Sequence, residues 1–204
     1  MGIYDLKPVL PKAIYDIIEE DVTALHIECE LSIPIDPFAV VERLHYVVRR
    51  FSEIKDLEAQ TILKTTAEGS REGLSYYDPA METYIIWIND LDSDYLPRLR
   101  FTVMHEIGHI RMGHCEDSHL AEMIANYYTA YALVPSPLPD LYKCSSFIDI
   151  ADEFGVSDDC AYICSKRWTN WKLYVGQLKS YEKVLLQYHQ DALNKRKEAV
   201  CNDL

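Results

Sequence analysis

The stretch Phe101-Thr102-Val103-Met104-His105-Glu106-Ile107-Gly108-His109-Ile110 decides how the chain is read. Residues four apart on a helix lie one turn apart on the same face. His105 and His109 can therefore grip one ion. Zinc favours imidazole nitrogen and carboxylate oxygen at about 2.0–2.2 Å in a tetrahedral site. Glu106 follows the first histidine and can accept a proton from a water on the open side of such an ion. Bound zinc lowers the pKa of its water to about 7. Two histidines and a glutamate on an otherwise apolar core helix would leave polar groups to satisfy without a metal.

A catalytic site of this kind needs a third protein ligand and an open position. Glu122 lies thirteen residues beyond His109, at the start of another apolar stretch after a short loop, Gly113 to Ser118. Two helices joined by so short a loop pack together, and a first-turn glutamate can face the histidines. Asn126, one turn further, is placed to steady a ligand. His114, Glu116, Asp117 and His119 in the loop are rival third ligands. His114, His119, Tyr127 and Tyr128 are the candidates for stabilising the oxyanion.

Outward from this core, the spacing predicts helices over Leu10–Glu30, Phe38–Leu44 and Glu53–Thr66. Asp36-Pro37 reads as a helix cap with a first-turn proline. Strands are expected over His45–Phe51, Leu74–Tyr77 and Thr83–Asn89, and residues 68–73 read as a loop. The metal helix runs from Leu96 to Arg111, its partner from His119 to Leu133, and Val134-Pro135-Ser136-Pro137-Leu138-Pro139 stops it. Gly108 is the one weak helix residue, expected to admit a neighbouring strand. Further helices are expected over Ser146–Phe154 and Asp158–Trp171, the last part forming a packed arm or a partly mobile tail. The reading is an α+β fold: mainly helical, with a small, about three-stranded sheet beside the metal helix. Its division is a zincin-like domain over 1–140 and a helical region over 141–204.

Composition narrows the function. Lys plus Arg number 20 against 33 Asp plus Glu, a formal net charge of −13. That opposes a nucleic-acid binder and docking on anionic lipid. Neither nucleic acid nor membrane is therefore expected as a partner. No stretch approaches the roughly 20 apolar residues of a membrane span, and no basic-then-apolar leader opens the chain. The six cysteines, Cys29, Cys115, Cys144, Cys160, Cys164 and Cys201, include no Cys-x-x-Cys pair. Reduced thiols in a cytoplasm are expected. Cys160 and Cys164 read as small buried apolar residues rather than a metal pair.

Two blocks resemble the ImmA/IrrE family of zinc metallopeptidases. They are Arg100-Phe101-Thr102-Val103-Met104-His105-Glu106-Ile107-Gly108-His109 and Glu122-Met123-Ile124-Ala125-Asn126-Tyr127-Tyr128, continuing to Pro135. Trp87-Ile88-Asn89 and Asp149–Ser157 also fit. The family's second glutamate is Ile124 here, and its aromatic position is Tyr128. The resemblance implies one zinc ion held by His105, His109 and Glu122, with Glu106 as general base. It also implies a protein substrate, a helix-turn-helix repressor encoded nearby, and regulation of a mobile element or stress locus. The alternative is a non-cleaving, zinc-stabilised module that binds such a partner. Ile148–Lys166 has a helix-turn-helix rhythm, but its acidic residues oppose DNA binding.

Overall fold

The computed structural model describes residues 10–66, 69–92, 95–116, 118–174 and 176–202. Its centre is the helix that the sequence singles out, α4 over Leu96–Arg111, with Pro97 in its first turn. Proline suits that position because its missing N–H would have had no partner there. Leu99, Val103, Met104 and Ile107 recur at helical spacing and are buried. Each such side chain contributes about 1.5–3 kcal/mol on leaving water. Gly113, at φ +68°, turns the chain after the helix.

The helix preceding all of this, α1, spans Lys12–Glu28, and α2 spans Pro37–Arg43, with the Asp36 carboxylate accepting from the Phe38 N–H. The strand β1 covers Val47–Arg50 and α3 covers Leu57–Lys64. Thr65–Thr66, expected as the end of a helix, form β2 and pair with β3 (Gly69–Ser70), expected as loop, in a two-residue ladder. It is too short to carry an alternating pattern. β4 (Gly73–Asp78) and β5 (Thr83–Ile88) make an antiparallel hairpin.

The sheet order is β1-β5-β4, with β1 parallel to β5. The 83–89 strand is therefore central, paired on both sides, and has no free edge to offer a substrate. The edge beside α4 is β4. Asn89 N–H donates to Glu72 O at 2.8 Å, which sets the phase of the ladder. Leu74, Tyr76 and Asp78 therefore bond to β5, while Gly73, Ser75 and Tyr77 turn their backbone groups outward.

On the other side of α4 lies α5, His119–Leu133, begun by the Ser118 hydroxyl accepting from the Ala121 N–H. The two helices touch closely at Gly108. A Cβ there would meet the Tyr128 ring at 3.1 Å, so this glycine admits a helix partner and not a strand. A single helical turn, α6 (Leu138–Leu141), starts inside the proline-rich stop. α7 (Phe147–Phe154) opens with a Ser146–Asp149 capping box and closes at Gly155, in the left-handed region at φ +62°. α8 spans Asp158–Tyr174. The last helix, α9 (Ser180–Asn202), is a packed arm: Leu185 and His189 are fully buried.

Arg100 ties these parts together. Its guanidinium donates to Gly155 O and to Ile35 O, joining α4 to the end of α7 and the segment before α2. Among the described residues, no helix is long and apolar enough to cross a membrane.

Candidate metal centre

α4 presents His105 and His109 one turn apart, and their Nε2 atoms lie 3.0 Å from each other. The first turn of α5 brings Glu122 over them. Its Oε2 is 3.3 Å from His105 Nε2, and its Oε1 is 3.2 Å from His109 Nε2. Among the described residues, these three form the group whose ligand atoms converge as a metal site requires. For bonds of about 2.05 Å at tetrahedral angles, neighbouring ligand atoms lie about 3.3 Å apart. The two ring nitrogens, and each ring nitrogen with one carboxylate oxygen, lie 3.0–3.3 Å apart, so the donor set can close on a zinc-sized ion.

The electrostatics suit the same ion. Burial, and then the neighbouring His109 and His114 rings, push the His105 pKa down to about 4. The ring is thus neutral near pH 7, with a lone pair to give. His114 contacts His109 from behind, Nδ1 to Nδ1 at 3.0 Å. Burial, and then His109, hold its pKa below the usual histidine value.

Glu106 is buried and lines the same cleft as this group. Ser75 Oγ, on β4, donates to Glu106 Oε2 at 2.8 Å. Gly73 makes room beside it, since a Cβ there would lie 2.7 Å from Thr102 Cγ2 and 2.9 Å from Glu106 Oε1. Ser75 and Gly73 are functional neighbours that the sequence did not signal. They sit on a strand some thirty residues away from the glutamate, and only the tertiary fold brings them there.

The centre opens on a cleft of about 1500 Å³, with the free β4 edge (Gly73, Leu74, Ser75) on one side and Asp159, Cys160 and Ile163 of α8 on another. That exceeds the roughly 300–1,000 Å³ of a small-molecule pocket. Asn126, His114, Glu116 and His119 also line it. The rival ligands His114, Glu116 and His119 are outside the converging group, and Asp117 lies outside the described residues. Two oxyanion candidates are removed. Tyr127 OH donates to Glu19 Oε1 at 2.6 Å, and Tyr128 OH donates to Asp21 Oδ2 at 2.8 Å. Both hydroxyls are engaged with α1, and neither residue lines the cleft. The described cysteine side chains are free thiols, with Cys160 and Cys164 buried.

Two histidines and a glutamate around a small polar centre, beside a sheet edge and an open cleft, are the layout of a metallopeptidase. Comparison of sequences agrees. Residues 58–159, half of the chain, match Peptidase M78, described as an IrrE N-terminal-like domain, and the chain belongs to this family. The family is one of zinc metallopeptidases. No curated protein and no solved structure matches the chain.

Proposed function

We propose that this chain is a cytoplasmic zinc endopeptidase, with His105, His109 and Glu122 as ligands and Glu106 as general base. The observation that carries this reading is the convergence of ligand atoms from His105, His109 and Glu122 at a cleft that the buried Glu106 also lines. Bound there, zinc supplies a Lewis acid that polarises the scissile carbonyl and acidifies water.

The chain's own residues do the rest. A substrate strand pairs with the outward backbone groups of Gly73 and Ser75 at the β4 edge. Glu106 takes a proton from the attacking water and passes it to the leaving amine. Ser75 holds that carboxylate in place. His109, when Nε2 is a ligand, carries its proton on Nδ1 and donates it to His114 Nδ1, which fixes the ring's tautomer. Of the two oxyanion candidates remaining, His119 is free of such a task and lines the cleft. The cleft's size favours a polypeptide substrate. Together with the family, this supports a helix-turn-helix repressor encoded nearby, whose cleavage regulates a mobile element or stress locus.

The test has two parts. Metal analysis of purified wild type should give one zinc per chain, and Glu122→Ala should lose it. The neighbouring repressor should then be cut at one position by the zinc-loaded wild type. Full zinc with no cut of that protein would favour the module that binds its partner without cleaving.

A further inference from the structure

We propose that the outer face of α7 and α8 is an exosite that grips a basic, amphipathic helical segment of the protein substrate, away from the bond to be cut. The inference rests on the peptidase reading above.

α7 has more apolar surface than its packing needs. Ile150, Ala151 and Phe154 point into the core, yet Ile148 is 58% exposed and Phe147 37%. On α8, Ala161, Cys164 and Trp168 are buried, while Tyr162 and Ile163 are 50% and 51% exposed. Phe147 and Tyr162 share one surface, and Ile148 and Ile163 adjoin them in the chain. The Phe147 and Tyr162 rings meet edge-on with centroids 5.9 Å apart, and Ile163 follows Tyr162. Contiguous exposed apolar side chains rimmed by polar ones mark interaction sites.

The rim has one dominant sign. Asp152 on α7 and Asp158 and Asp159 on α8 are exposed on the same two helices. Asp149 is excluded from this set, because Ser145 and Ser146 already bond its carboxylate. Lys166 lies over the Tyr162 ring at 4.1 Å. Apolar contacts ringed by carboxylates suit a partner with apolar residues flanked by lysine or arginine. They oppose a nucleic acid, despite the helix-turn-helix rhythm of this pair.

Continuity with the cleft identifies that partner as part of the substrate. Asp159, Cys160 and Ile163 line the cleft itself. Tyr162 and Asp158 lie on the adjoining stripe of the same helix, and Phe147 and Ile148 lie beyond them. Asp158, Tyr162 and Lys166 recur every turn, the spacing at which a second helix offers its own side chains.

The test uses the full chain as the zinc-loaded Glu106→Gln variant, so that bound peptide is not consumed. Fluorescence anisotropy would measure binding of a labelled synthetic leucine–lysine helical peptide and of its leucine–glutamate counterpart. The lysine peptide should bind and the glutamate peptide should not. Ile148→Ser/Tyr162→Ser should weaken binding at least about tenfold. Leu57→Ser/Ile62→Ser, on exposed apolar positions of α3, should change it less than about twofold. Equal effects of the two pairs, or no binding of the lysine peptide, would overturn the proposal. So would sedimentation showing that the α7–α8 pair abolishes self-association while no peptide binds, which would make the occupant a second copy. Zinc content is measured separately. A protein without zinc that still binds the lysine peptide through this face would sink the peptidase reading and leave a partner-binding face in place of an exosite.

Discussion

Acid should loosen the docking of α9 through one buried hydrogen-bond chain. Tyr142 OH donates to His189 Nδ1 at 3.1 Å, His189 Nε2–H to His26 Nδ1 at 2.9 Å, and His26 Nε2–H to Ala132 O at 3.0 Å. The two rings are fully buried. With both rings neutral every ring nitrogen is used once, and it is burial that resists an added proton, which would also force the Tyr142 bond to reverse. Burial pulls the His26 pKa down to about 4, with the Ala132 carbonyl opposing it. Burial, then His26 and Arg196, pull His189 down to about 3. The unfolded chain takes up these protons near the ordinary value of about 6.5. It therefore binds more protons than the fold as pH drops from about 6.5 towards 4, and stability falls over that window. Between about pH 7 and about pH 4.5 the linkage amounts to about 2.5 kcal/mol per histidine, or about 5 kcal/mol together. That is a large share of a typical stability of roughly 5–15 kcal/mol. Urea unfolding at the two pH values would measure it for wild type and His189→Gln. The variant keeps a hydrogen-bonding side chain without the ring's proton site, and should lose about 2.5 kcal/mol less on acidification. Equal losses in the two proteins would refute the reasoning.

Other perturbations act nearer the centre. His114→Ala should weaken zinc binding about 10–100-fold, read by competition with a chromogenic chelator, and His114→Gln should recover part through its amide oxygen. Gly73→Ala should push Glu106 or Thr102 aside and lower kcat/KM at least about tenfold, while zinc affinity changes less than about twofold. Arg100→Leu leaves the Gly155 and Ile35 carbonyls without their donor, and should lower the melting temperature by roughly 5–10 °C without changing zinc stoichiometry.

What could be read from the sequence was whatever is encoded locally. The bounds of α4 and α5 agree with the expectation because Pro97, Gly113, Ser118 and Pro135 punctuate them. His105 and His109 are neighbours by helical spacing alone, and a short loop limits where Glu122 can go. Strand order is not local. β5 being central depends on the parallel partner β1, which arrives from nearly forty residues upstream. Ser75 under Glu106, and the pairing of His26 with His189, likewise join distant parts of the chain. The tyrosines misled because α5 is apolar on most of its circumference. Its pattern does not say that Tyr127 and Tyr128 face α1 instead of the cleft.

The most direct test of the central claim is a cleavage assay on a defined mixture of unstructured polypeptides, with products identified by mass spectrometry. Zinc-loaded wild type and zinc-loaded Glu106→Gln would be compared at equal metal content. The account predicts discrete new termini with wild type and none with the variant. Equal cleavage by both proteins would contradict it, because the carboxylate that Ser75 holds in the cleft would then have no part in the chemistry.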